Sequence, residues 1–177
     1  MLKYFALLGL LLFSTSTLMG AAPAKFKVSQ FEFQRPDRWE SVEVTSAMRK
    51  AQLKVPGAKA GESAEVIFFH FGPGNGGGTQ ANVERWFGQF QEPRAQIKAR
   101  TEPTKVGGVQ ITYVFAEGTY SSGMPGGPKT PLPNHALVGA IVEGTEGHVF
   151  VRMVGPISLA KEATADFKKM IESALAK

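Results

Sequence analysis

The stretch from Ala99 to Phe115 constrains the fold of this chain more than any other. Gly107-Gly108 separates two strand-like runs, Ala99 to Val106 and the alternating Val109-Gln110-Ile111-Thr112-Tyr113-Val114-Phe115. A two-residue hairpin loop favours residues that accept positive φ, and glycine does so without a Cβ clash. Successive side chains of a strand point to opposite faces, so the alternation commits this segment to a sheet. The pair of runs therefore predicts an antiparallel hairpin.

Other runs extend the sheet. Phe26 to Phe33 alternates aromatic and polar residues and reads as a first strand, followed by an Arg35-Pro36-Asp37-Arg38 turn and Trp39. Ser41 to Val55 is extended in pattern, with Ala51, Leu53 and Val55 on one face and Lys50, Gln52 and Lys54 on the other, and Pro56-Gly57 closes it. Glu65 to Phe71 is apolar more continuously, as for a strand covered on both faces. His135 to Val142 and His148 to Val154 form two more strands, joined through Gly144-Thr145-Glu146-Gly147. Between them and the hairpin, Gly118 to Asn134 reads as a long loop of glycine, proline and serine.

Two segments change to helical period. Val83, Trp86, Phe87 and Phe90 fall in one stripe of about 100° on a helix from Thr79 to Phe90. Gly88 inside it costs about 1 kcal/mol relative to alanine, which implies close approach by a neighbouring backbone. Near the end of the chain, Ser158 is placed to cap a helix whose Ala163, Phe167, Met170, Ile171 and Ala174 share one face. With six to eight strands and two helices, the chain is of the α+β class, an antiparallel sheet with helices packed against it.

Met1-Leu2-Lys3, the apolar run Tyr4 to Phe13 and the small residues "STSTLMGAAPA" have the layout of a secretory signal peptide. Its apolar run is too short for the roughly 20 residues that span a bilayer. The expected division is a signal peptide over 1–24, cleaved within 20–24 at Ala22 or Ala24, and a single globular domain over 25–177. An exported protein, periplasmic or secreted, follows from that reading, with no transmembrane segment after signal removal. The chain has no cysteine, so it forms no disulfide and carries no lipidated thiol. Its 13 phenylalanines and 43% hydrophobic content must supply the core instead. The formal charge of +5 is scattered among carboxylates, a pattern of solvated strand faces, and nucleic acid is not an expected partner.

The stretch Gly72-Pro73-Gly74-Asn75-Gly76-Gly77-Gly78-Thr79 tests the nucleotide reading. It fits G-x-G-x-x-G, but no acidic residue stands at the end of a second strand to hold a ribose, since Glu92 lies beside Pro93 before any such strand. It also falls one residue short of a P-loop, because Gly78 stands where the lysine belongs. Anion or nucleotide binding at Gly72–Thr79 stays as an alternative. Ser158-Leu159-Ala160-Lys161 imitates the S-x-x-K of penicillin-recognising enzymes without their S-D-N. His70, His135 and His148 stand singly and aspartate occurs only at Asp37 and Asp166, so no metal site, no cofactor and no catalytic residue is assigned. A small secreted hydrolase, with Ser121, Ser122 or a histidine assembled only in the fold, is the second alternative.

One constellation remains. Asn82, Arg85 and Gln89 fall within about 60° of one another on the first helix, with Trp86 at the border of its apolar stripe. Together with the loop backbone at Gly74, Gly76, Gly77 and Gly78, they form the candidate binding site, for an envelope protein or a small anionic ligand. The competing reading has Asn82 bonding the loop backbone and Arg85 pairing with a carboxylate.

Three motifs carry a family resemblance. Asn82-Val83-Glu84-Arg85-Trp86-Phe87-Gly88-Gln89 after a glycine-rich turn, Phe33 to Trp39 as F-x-x-P-x-x-W, and Phe150-Val151-Arg152-Met153-Val154-Gly155 resemble a group of uncharacterised exported bacterial proteins, many of them lipoproteins. The layout is also similar to the PsbP-like fold, in which an antiparallel sheet lies between helices as an α/β/α sandwich. That resemblance implies an accessory or binding role rather than catalysis, and it supplies no ligand. The chain departs from the lipoprotein members in lacking the cysteine.

Overall fold

The computed structural model describes residues 24–123 and 126–175. The signal segment, including Ala22, lies outside the described residues, which begin at Ala24. In chain order the elements are β1 (Lys25–Val28), β2 (Phe31–Gln34), β3 (Glu40–Ser41), β4 (Arg49–Pro56), β5 (Ser63–His70), α1 (Thr79–Phe87), β6 (Arg100–Val106), β7 (Val109–Ser122), β8 (Thr130–Val142), β9 (Val149–Pro156) and α2 (Ile157–Ser173). Seven strands form one antiparallel sheet in the order β3-β4-β5-β9-β8-β7-β6, and β1 pairs with β2 alone. Among the described residues no helix is long and apolar enough to cross a membrane.

Strand alternation divides the core between the two faces of the sheet. Leu53, Phe68, Tyr113, Val138, Ala140 and Met153 face one side, where α2 contributes Leu159, Ala163, Phe167, Met170 and Ile171. The β1–β2 hairpin closes this side with an aromatic cluster: the Phe26 and Phe33 rings both lie 5.1 Å from Phe68. On the other side Val114, Leu137, Ile141 and Phe150 meet Val83, Trp86 and Phe87 of α1 and Phe90 and Ile97 beyond it. Burial of each such side chain stabilises the fold by about 1.5–3 kcal/mol.

The two sides are covered unequally. Helix α1 has nine residues and reaches the central strands, so Lys50 and Lys54 of β4 and Thr101, Pro103 and Lys105 of β6 stay exposed. The α+β class, the antiparallel sheet and the Gly107-Gly108 hairpin agree with the sequence; those two glycines have φ of 55° and 84°.

Several boundaries differ from the sequence reading. The single strand expected over Phe26 to Phe33 folds back on itself at Ser29, whose φ of 54° opens a tight turn, so the described residues hold nine strands. The extended segment expected from Ser41 is strand only at Glu40–Ser41 and again from Arg49. Most of the loop expected over Gly118 to Asn134 is also strand: Tyr120 pairs with Leu132 and Ser122 with Thr130, past a bulge at Gly118. Before His135 strand β8 lacks β9 as a neighbour, and proline is tolerated on such a free edge, as at Pro131 and Pro133. Ser158 does not cap α2; β9 enters the helix directly through Pro156, with no side-chain cap. Gly88 ends α1 rather than lying within it, at a right-handed φ of −67°.

Candidate functional site

The site lies where β5 leaves the sheet and returns as α1. Gly72, Gly74, Gly76 and Gly77 have φ between 71° and 88°, the left-handed region that side chains rarely adopt. Gly76 is constrained twice, because a Cβ there would sit 2.8 Å from both the Phe71 and the Phe150 rings. Gly78 precedes α1 in extended conformation and provides no side-chain cap.

Asn82 holds this turn together. Only 4% exposed, it donates from Nδ2 to the carbonyls of Gly76 at 2.9 Å and Gly78 at 3.0 Å. Its Oδ1 accepts from Arg85 Nη1 at 2.6 Å. A buried amide with each of these bonds made is favourable, whereas leaving its donors unpaired costs about 1–3 kcal/mol. Asn82 thus satisfies the loop backbone and fixes Arg85, whose partner is an amide oxygen and not the carboxylate of the competing reading.

Arg85 is exposed, and it lines an open groove with Phe71, Asn75, Gly76 and Gly77. Phe71 is 43% exposed, one of three large hydrophobic side chains so placed among the described residues. Its ring lies 6.0 Å from Phe150 and 6.4 Å from Phe69, so it is supported from below.

Trp86 and Gln89 turn the other way. Trp86 is buried against Gly139 of β8, where a Cβ would come within 2.2 Å of the indole. This is the close backbone approach that the sequence assigned to Gly88. Gln89 accepts through one oxygen from Tyr120 Oη at 3.0 Å and Arg152 Nη1 at 2.8 Å. The Arg152 guanidinium lies 5.7 Å from the Phe69 ring centre and 6.0 Å from that of Tyr120. Burial raises the Tyr120 phenol above its ordinary 10.0; the Arg152 charge opposes the shift and the Glu65 carboxylate adds to it. Glu65 in turn accepts from Arg49 at 3.0 Å and Gln52 at 2.8 Å. Hydrogen bonds therefore tie Gln89, just past α1, to β7 and β9, and a separate set joins β5 to β4.

The four side chains selected from the sequence divide by role. Arg85 reaches the groove, Asn82 positions it, and Trp86 and Gln89 dock α1. The sequence reading missed Phe71, Tyr120, Gly139 and Arg152. Arg152 carried a signal, as a lone cation inside the apolar run Phe150 to Val154; Gly139 in the run Ala136 to Val142 carried a weaker one.

At the start of α1, Thr79 Oγ1 donates to Glu143 Oε1 at 2.9 Å. A carboxylate thus stands beside the helix end that would attract an anion. Neither His70, whose Nδ1 lies 3.1 Å from the His148 carbonyl, nor His135, 2.8 Å from the Pro133 carbonyl, is bonded to a serine. No group of three or more metal-ligating side chains occurs among the described residues.

No family model matches the chain, and no curated protein does. Among solved structures it is similar to PA94 of Pseudomonas aeruginosa, described as a protein of unknown function. The TM-score is 0.48 and the identity 10%, over 86% of this chain and 96% of that one. A likeness at that level carries no inference about activity.

Proposed function

We propose that this chain is an exported, non-catalytic binding or accessory protein of the cell envelope, which engages its partner through the groove beside α1. The observation that carries the reading is the pairing of an exposed aromatic, Phe71, with an exposed guanidinium, Arg85, held in place by the buried Asn82. Such a pair suits a partner that presents a carboxylate beside an apolar side chain, or a small anionic ligand of the same character. The signal-peptide pattern of residues 1–24 supports export, and the resemblance to exported bacterial proteins agrees with it. In this reading the architecture is a PsbP-like sheet between helices, with α1 forming the thinner layer.

The alternatives are weaker. Among the described residues no hydrogen bond joins Ser121 or Ser122 to a histidine, which a serine nucleophile activated by a histidine base would need. An anion at the Gly72–Thr79 loop would meet the Glu143 carboxylate.

Native mass spectrometry of the protein purified from its own envelope tests the reading. A retained partner or ligand is expected with the unaltered chain and is lost in Arg85→Glu and Phe71→Ser variants that keep the native melting temperature. Equal retention by folded variants would refute the groove as the binding surface.

A further inference from the structure

A second cavity lies on the opposite side of the sheet, between α2, the start of β6 and the middle of β7 and β8. Its volume is about 340 Å³, within the range of small-molecule sites. Phe115, Ala136, Val138 and Ala160 give it an apolar floor. Lys98, Arg100 and Lys161 stand at its rim with one carboxylate, Glu117.

The charges there do not balance. Glu117, with 20% of its side chain exposed, accepts from Lys98 at 3.0 Å and Lys161 at 3.1 Å. Arg100 lies 3.3 Å from Glu102, which also takes Lys168 at 2.6 Å. Four cations therefore share two carboxylates. The Arg100 guanidinium carbon lies 3.7 Å from the centre of the Phe115 ring, a cation–π contact that holds this cation against the apolar floor. Lys98 has a φ of 49°, an uncommon conformation for a residue with a side chain, where the neighbouring Ile97 carbonyl accepts from the Glu117 amide at 2.7 Å.

We propose that this cavity binds a short acyl carboxylate: the carboxylate joins Arg100 and the two lysines at the rim, and the hydrocarbon chain lies on the floor of Phe115, Ala136, Val138 and Ala160. An inorganic anion would leave the apolar floor unused, and an uncharged alcohol would leave the surplus cations unmatched. The site is independent of the groove beside α1, and each stands or falls without the other.

Carbon-13 methyl spectra of Ala136, Val138 and Ala160, recorded during titration with sodium hexanoate, hexanol or sodium sulfate, test the proposal. Hexanoate is expected to shift these methyls saturably, with hexanol and sulfate at least tenfold weaker. Thr164, half-buried, lines the cavity one turn after Ala160, so Thr164→Phe fills it and is expected to abolish the shifts. A Lys98→Met/Lys161→Met double variant is expected to weaken hexanoate at least tenfold and to leave hexanol unchanged. Methyl signals that do not move with hexanoate, equal response to sulfate or hexanol, or full hexanoate affinity in folded Thr164→Phe would each overturn it.

Discussion

Replacing Gly139 with alanine tests how α1 is seated. The added methyl would stand 2.2 Å from Cζ3, 2.7 Å from Cε3 and 3.2 Å from Cη2 of Trp86. Carbon atoms in contact keep about 3.5–4.0 Å, so the ring or the strand must move by more than 1 Å. Neither moves freely. Gly139 is held between Val114 of β7 and Arg152 of β9, and Trp86 is 6% exposed among Val83, Phe87 and Leu137. Overpacking of this kind costs about 1–3 kcal/mol, and the rigid surroundings put Gly139→Ala at about 3 kcal/mol. At roughly 2–4 °C per kcal/mol for a domain of this size, the melting temperature falls by about 6–12 °C. Gly78→Ala is the control: its φ is −73° and no atom lies within 4 Å of the new methyl, so the entropy gain of alanine and its poorer fit at the α1 N-cap offset, and the change stays within about 1 kcal/mol. Urea unfolding followed by circular dichroism measures both, and adding Trp86→Phe to Gly139→Ala should recover part of the loss. A Gly139→Ala protein within about 0.5 kcal/mol of the parent, or no coupling in the double variant, would refute the account of α1 docking.

Further outcomes follow from the same geometry. Asn82→Ala leaves the Gly76 and Gly78 carbonyls without their side-chain donor, and a loss of about 1–2 kcal/mol is expected, with faster proteolytic cleavage between 72 and 79. Gln89→Leu strands the Tyr120 hydroxyl and one Arg152 donor, and denaturant unfolding should show a loss of about 2 kcal/mol, more than Gln80→Leu on the exposed face. For Glu117, burial alone would raise the pKa, but the Lys98 and Lys161 hydrogen bonds and charges outweigh it and hold the carboxyl below its usual 4.5. Its stabilisation is therefore present above about pH 4.5 and is lost as pH falls through the lower folded value; Glu117→Gln should flatten that acid limb of the stability curve. The Tyr120 shift has the opposite sense: the raised phenol stabilises below pH 10.0, and that contribution is lost as pH rises toward the folded value, so Tyr120→Phe should reduce the fall in stability above pH 10.

The helix stripe and the hairpin were legible because each depends on neighbours in sequence. Val83, Trp86 and Phe87 are buried as their spacing requires, and Gly107-Gly108 turns as a hairpin of two glycines should. The candidate site was legible in part. Asn82 and Arg85 are three residues apart and meet on the helix surface, where local spacing suffices. Arg152 is 63 residues from Gln89, and no pattern along the chain shows that β9 passes beneath α1.

By itself the sequence determined the antiparallel sheet, the two helices and the glycine-rich return from β5 to α1, because side-chain period and the φ freedom of glycine act within a few residues. Tertiary structure decided the rest. Gly118 to Asn134 has the composition of a loop, and becomes strand only because β7 and β8 are already paired and extend one another. Gly139 is required by an indole from another element, and Phe71 stays exposed because the short α1 leaves it uncovered. These are properties of contacts between distant segments, fixed by strand order and packing, to which local periodicity gives no access.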